Sequence, residues 1–391
     1  MTEFRKKLER SINSLEKWVE DHEYMAYEPF DGLSSPLRAL TFGSHFLDRI
    51  LLQTIRQSPI NLRPLFGVKP LPSTKGRGYM AGGYLERYKQ TVDDKYRQKA
   101  LENLDWLMEN KSGKFEHYTW ANHFPFASRG GRYSADEPII VWTALIGQVF
   151  LDAYELFGEQ KHLDVVKSIC NWIMKLPREE TASGACISYH MFKVASIHNS
   201  NMLGAALLAR AGKLLDESGW IKVAREAMLY SCSRQLPDGA WYYAETENMH
   251  WIDNFHTGYN LSSLKCYIDS TGDEQFRRQM IKGLDYFIRT FFEESGRPKY
   301  YHNRTYPVDS QCASQAVETL NEFSEFDERC LPLAVKVASW WIDNMQDRKG
   351  YFYYRQYPLM KAKTPMLHWS QATSYRGLVM LLSELEKEGI R

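Results

Sequence analysis

The chain of 391 residues, 44% hydrophobic and 25% charged, carries the apolar mass of a folded protein with a sizeable core and excludes a disordered or collagen-like one. A formal net charge of +1 gives no electrostatic case for a nucleic-acid partner or an anionic membrane. The excess is in aromatics, 14% of residues with 11 Trp and 24 Tyr, many between helical segments, where flat faces with a polar edge suit sugar rings as well as ordinary packing.

The first stretch, MTEFRKKLERSINSLEKWVEDHE, is charged and amphipathic, lacks the apolar centre of a signal peptide, and reads as a helix over 2–21. A second helical segment spans 38–57. Residues 58–85, SPINLRPLFGVKPLPSTKGRGYMAGGYL, then break the period with prolines and glycines, as an insertion at a mouth or a surface loop would. Polar-faced segments at 86–110, 159–176, 219–235, 273–294 and 327–347 alternate with segments rich in small and apolar residues at 138–157, 198–217, 257–270, 309–324 and 369–387. The second kind recurs about every 50–60 residues, one helical hairpin and a loop, and its Ala, Gly and Ser faces let helices crowd around an axis. With 2–21 as outer and 38–57 as inner partner of the first pair, six pairs predict an all-α (α/α)6 barrel. It would occupy residues 1–391 as a single domain.

The loops entering the inner segments repeat as well: SGACISYHMFKVASIHNS, DGAWYYAETENMHWIDNFHTG, SGRPKYYHNRTYPVDSQ and KGYFYYRQYPLMKAKTPMLHWSQ. Each begins at a Gly-containing turn, passes through a short aromatic β-hairpin-like stretch and ends in polar residues at a helix start. All should lie at one end of the barrel, where function concentrates. No apolar run approaches the roughly 18 residues needed to span a bilayer. The six cysteines are scattered without a CxxC, which points to a reducing compartment, a cytoplasmic protein and no structural zinc. No cofactor is expected, and the oligomeric state is not encoded in any pattern.

Convergence of the loop-to-helix junctions gathers Arg38, His198, Asn201, Trp251, Asp253, His256, Tyr259, Asp309, Arg355, His368 and Trp369, with Glu247 in a preceding loop. Such a ring suits a neutral, hydroxyl-rich ligand with an acid–base demand, whereas no helical i, i+4 ligand pair indicates a metal. His256 and His368 open the fourth and sixth inner helices, and histidine is the natural proton carrier near neutral pH. Each can equally cap its helix. Asp253, three residues before His256, either orients that ring or caps the helix. Glu245, Glu247, Asp136 and Asp309 are the acids available for a carboxylate pair. RGGR at 129–132 reads as a plain turn or an anion cradle, and His45 as a satisfied helix histidine.

Six hairpins and the two histidines resemble the N-acylglucosamine 2-epimerase superfamily, which includes cellobiose 2-epimerases. The family pattern His-Pro-Gly-His stands here as His256-Thr257-Gly258-Tyr259, and KTPMLHWSQATSYRGL supplies Lys363, Pro365, His368 and Arg376. The resemblance implies a histidine pair that moves a proton at the carbon beside a sugar carbonyl. YEPFDGLSSPL and DGAWYYAETENMHWIDNFHTGYNL resemble the VpsJ-like proteins of polysaccharide biosynthesis, which implies a surface-glycan role without a defined reaction. REAMLYSCSRQLPDGAW, with a degraded second copy in QDRKGYF, is similar to the QW repeat of α/α toroid cyclases, but no Asp-x-Asp-Asp accompanies it. The sequence thus points to a sugar or uronic acid epimerase or isomerase of surface-glycan biosynthesis acting through His256 and His368, with a sugar or oligosaccharide as its partner. A hydrolase or lyase led by Asp and Glu, and a glycan-binding scaffold without activity, are the alternatives.

Overall fold

A computed structural model describes residues 2–387 and Gly389. Helix α1 (Thr2–Asp21) opens the chain, and α2 (His45–Gln57) follows 3-10 turns over 31–41. The chain then alternates: α3 (Thr74–Thr91) and α4 (Asp94–Glu109), α5 (Ile140–Phe157) and α6 (Gln160–Lys175), α7 (His198–Leu214) and α8 (Ser218–Cys232). It continues with α9 (Asn254–Thr271) and α10 (Arg277–Thr290), α11 (Ser310–Glu322) and α12 (Cys330–Met345), and ends in α13 (Thr373–Lys387), entered through a π-helical turn at Leu367–Ala372. Among the described residues, six helices (α3, α5, α7, α9, α11, α13) each pack on the next, and α13 returns to α3 to close the ring. Their partners pack outside, and α1 lies against α13 as the outer member of the last pair. The fold is the expected all-α (α/α)6 barrel, with its two ends of chain joined in one hairpin.

The first hairpin corrects the sequence reading. Residues 38–57 contribute no ring helix: α2 packs on the turns before it and on the strand at 126–128, outside the circle. The inner place belongs to α3, whose first half lies within the stretch expected to be an insertion at 58–85. Irregular chain ends at the N-cap Ser73, whose hydroxyl accepts from Gly76 N, and helix follows. Glycines that look like breakers are there for close approach. An added Cβ at Gly83 would lie 2.5 Å from the Tyr375 ring of α13, and one at Gly78 would lie 2.9 Å from Ile146 of α5. The smallest residue is what lets three inner helices meet.

Helix α5 also departs from expectation. Its 18 residues are long and apolar enough to cross a membrane by composition alone, yet it is a ring helix between α3 and α7, with 61% of the run buried. Short antiparallel strands decorate the loops, pairing 126–128 with 131–133, 178–181 with 184–187, and 308–309 with 355–356. Both QW-like turns are built alike. Gln235 donates to Gly239 O and to Gln279 O of α10, and Gln346 donates to Gly350 O and to Ser11 O of α1, so each pins a loop to the next outer helix.

Candidate active site

One end of the barrel opens into a cavity of about 890 Å³, at the upper end of small-ligand sites. Every inner helix contributes its first turn: Lys75, Trp142, Asn199, His256, Gln311 and the His368–Trp369 pair all line it. Strand-turn loops raise its walls, and α2 covers one side with Arg49, Gln53, Arg56 and Gln57.

His256 is positioned by Asp253. One carboxylate oxygen caps α9 by accepting from His256 N at 3.0 Å, and the other accepts from His256 Nδ1 at 2.7 Å and from Trp251 Nε1 at 2.9 Å. Capping and orienting, alternatives in the sequence, are one arrangement. A carboxylate accepts only, so the Nδ1 proton belongs to this bond and the Nε2 lone pair is left to the cavity. Tyr243 stacks on Trp251 at 4.4 Å and leans on the His256 ring at 4.6 Å, which fixes both.

His368 is held in the same way by a residue from the other end of the chain. The main chain at Tyr27 pairs with Pro365 and Leu367, and this brings Glu28 beneath the π-helical turn. Glu28 accepts from His368 N at 3.0 Å and from Nδ1 at 3.2 Å, leaving Nε2 buried without a protein partner. Arg63 and Asp31, both almost fully buried, lock Glu28: Asp31 accepts from Glu28 N and from Arg63 Nε, and Arg63 donates to Glu28 O.

Lys75 joins this group. Its ammonium lies 5.6 Å from the Trp142 ring centre, and burial, opposed by Glu28, pushes its pKa down to about 7. Burial and the adjoining Lys75 push His368 down to about 4, against the pull of Glu28. Burial would raise Glu28, but the His368 ring and N–H beside it hold its carboxyl below the usual range. Between the two histidines lies a hydroxyl pair, Tyr79 and Tyr259, 2.9 Å apart, with Gln311 Nε2 donating to Tyr259 at 3.1 Å. Burial raises both phenols well above the ordinary range, so they act as neutral donors.

Of the residues singled out in the sequence, His256, His368, Trp251, Tyr259 and Trp369 line the cavity. Asp253 stands directly behind His256. Asp309 and Arg355 form a layer behind Trp369: Asp309 caps α11 through Gln311 N, accepts from Trp369 Nε1 at 2.7 Å, and takes Arg355 Nε at 2.5 Å. They position an aromatic wall and do not reach the cavity, which corrects their assignment as ligand-binding groups.

Four further assignments are corrected. His198 points outward, to Ser231 Oγ and Glu245. Asn201 ties Ile187 N to Ala227 O of α8, and the cavity receives Asn199 instead, its Oδ1 buried and unpartnered. A helix shows only some of its first-turn residues to one side, so a choice off by two residues lands on another face. Arg38 lies exposed on a 3-10 turn, and Glu247 lies exposed in its loop. Glu28, Lys75, Asn199, Arg49 and Arg56 were missed. YEPFDGL held the signal for Glu28, whereas Lys75 was hidden in the glycine-rich run. RGGR is a turn, with Arg129 at the cavity rim and Arg132 on Asp48. His45 is satisfied by Ser128 O, as expected.

The motif residues also separate by position. Arg376 is partly buried under the floor, 5.7 Å from the Tyr79 ring centre and 4.0 Å from Glu318, whose carboxyl burial raises to about 7. Lys363 lies over Tyr353, away from the cavity lining.

No protein-family model matches the sequence, and no curated protein is similar to it in sequence. Solved structures share its fold. The cellobiose 2-epimerase of Bacillus thermoamylovorans superposes with a TM-score of 0.62 at 12% identity, over 81% of this chain and 88% of that one. A sugar epimerase from a ruminal bacterium gives 0.62 at 13%, over 83% and 91%. The GH76A α-1,6-mannanase of a Salegentibacter species gives 0.59 at 13%, over 80% and 89%, and an inactive variant of it, altered at two adjacent aspartates, is known in complex with mannotriose.

Proposed function

We propose that this protein is a carbohydrate-active enzyme, an epimerase or isomerase that moves a proton at a carbon beside a carbonyl. One observation carries the reading. Two histidines at the starts of α9 and α13 each have Nδ1 held by a carboxylate and Nε2 unpartnered by protein, within one aromatic-walled cavity. The Phe255 ring just before His256 and the Trp369 ring just after His368 meet at 5.4 Å, and both histidines line the one chamber.

In this reading His256 Nε2 removes the proton on one face of the sugar. On the opposite face His368, which burial keeps neutral near pH 7, is the second base and returns the proton there, with Lys75, lowered to about 7, nearby as a proton source. The Tyr259 hydroxyl, which lines the cavity and accepts from Gln311 and Tyr79, donates its one proton to the oxygen on which charge develops, and Trp251, Tyr243 and Trp369 provide faces for sugar rings. Glu28 is the only carboxylate among the described cavity-lining residues, whereas hydrolysis needs two acids at set separations. Asp136 and Glu137, adjacent acids before α5, lie outside the lining, and Glu245 is engaged by His198 and Arg234. The segment that resembles polysaccharide-biosynthesis proteins holds Glu28 and Asp31, which supports a role in surface-glycan metabolism. All six cysteines are unpaired, in keeping with a cytoplasmic setting.

The test is incubation with hexoses, amino sugars, hexuronates and their oligosaccharides in D₂O, followed by NMR. Incorporation of one deuterium beside the carbonyl, together with a second epimer or the isomer, is the expected result. Cleavage without exchange would assign the site to hydrolysis, and saturable binding without any product would leave a scaffold.

A further inference from the structure

The cavity is strongly biased in charge, although the chain is not. Arg49, Arg56, Lys75, Arg129 and Arg304 all line it, against the single carboxylate of Glu28, which already accepts twice from His368. Elsewhere on this protein cations are commonly paired with acids, as Arg210 is with Asp152 and Glu155, or Arg329 with Asp285 and Asp327. Among the described residues, none of the five cavity cations has a carboxylate within 4.0 Å. Asp253 and Asp309, the acids immediately behind the walls, are engaged by His256 and Trp251, and by Arg355 and Trp369.

Two of these cations are built into the wall. Arg49 and Arg56 stand at i and i+7 of α2, with Gln53 and Gln57 on the same face, so a row of donors runs along one side of the mouth. The Arg56 guanidinium carbon lies 4.4 Å from the Phe30 ring centre, and its Nε is buried with no acceptor. A guanidinium held over a ring at the cavity wall, with no carboxylate beside it, keeps its charge and its terminal N–H groups available to an anion. Leaving such a donor empty is unfavourable, and a neutral sugar hydroxyl is a weaker acceptor than a carboxylate or sulfate.

We infer that the substrate is an anionic saccharide, with the reacting sugar between His256 and His368 and a negatively charged substituent on it or on its neighbour held by Arg49 and Arg56. This rests on the carbohydrate reading given above. Lys75, at the floor, faces the reacting sugar, and Arg129 and Arg304 at the rim meet a chain that extends outward.

Calorimetric titration of the whole protein with tri-galacturonate, with galactotriose as its uncharged counterpart, and with a sulfated trisaccharide separates the cases. The expected result is an affinity for at least one acidic chain about 10- to 100-fold above that for galactotriose, falling as salt is raised. Which acidic chain binds distinguishes carboxylate from sulfate. Arg49→Gln with Arg56→Gln should bring the acidic ligand down to the neutral one's affinity, with unchanged thermal unfolding as the folding control. Equal or tighter binding of galactotriose overturns the inference and leaves the carbohydrate reading standing. Binding of no saccharide in the panel overturns both.

Discussion

Asp253→Asn separates orientation of His256 from capping of its helix. Asn is as good an N-cap as Asp, so its Oδ1 still accepts from His256 N. The second oxygen, which takes both His256 Nδ1 and Trp251 Nε1, becomes an NH₂ facing two donors. A hydrogen bond to a charged group contributes about 1.5–3 kcal/mol, which corresponds to roughly 10- to 150-fold selection of the Nδ1-protonated tautomer in the native protein. In the variant the amide donates instead, Nδ1 must accept, and the proton moves to Nε2, where it blocks the lone pair that faces the cavity. Loss of the indole's acceptor adds a stability decrease of about 1–3 kcal/mol. Long-range ¹H–¹⁵N correlation of ¹⁵N-histidine-labelled protein reads the tautomer directly and needs no substrate. Native His256 protonated at Nε2, or an unchanged tautomer in the variant, would refute the assignment of Asp253 as the residue that orients this base.

Lys75→Met tests the buried amine. Burial lowers Lys75 from 10.5 to about 7, so between those values the unfolded chain binds a proton that the folded one does not, and native stability rises with pH across that window. Denaturant titrations should show Lys75→Met more stable than wild type below pH 7, by at most about 5 kcal/mol, with the gap closing toward pH 10; a gap that ignores pH contradicts this. Arg355→Met leaves Asp309 buried and unpaired, so urea unfolding should report a loss of about 3–5 kcal/mol, partly restored by adding Asp309→Asn. Gly83→Ala drives a methyl into Tyr375 and should lower stability by about 1–3 kcal/mol in thermal melts. Arg38→Ala and Glu247→Ala, both exposed and outside the cavity lining, should change stability by less than about 0.5 kcal/mol and saccharide affinity not at all.

What could be read from the sequence follows from which signals are local. Alternating polar-faced and small-residue segments place five inner helices within a few residues of α5, α7, α9, α11 and α13, because burial on one or both sides writes itself into composition. Helix α3 escaped since its glycines answer to Tyr375 and Ile146, contacts visible only once the ring is closed. The first pair was consequently assembled from the wrong inner segment. His256 with Asp253 was legible because base and carboxylate share one helix start. His368 could be found by its repeat position, but its carboxylate is Glu28, 340 positions away, delivered by strand-like pairing of Tyr27 with the last loop. Asp309 and Arg355 carry the residue types of a site and serve as its backing, a distinction that depends on which way a side chain turns.

Transfer between two histidines has a direct test in the deuterium exchange of each single variant on the sugar pair that the enzyme interconverts. His256→Asn and His368→Asn should each abolish epimerisation, while each still exchanges the proton of only one epimer, the one whose C–H faces the remaining base. Loss of exchange from both epimers in one variant, with the other fully active, would mean a single base and would contradict the two-histidine assignment.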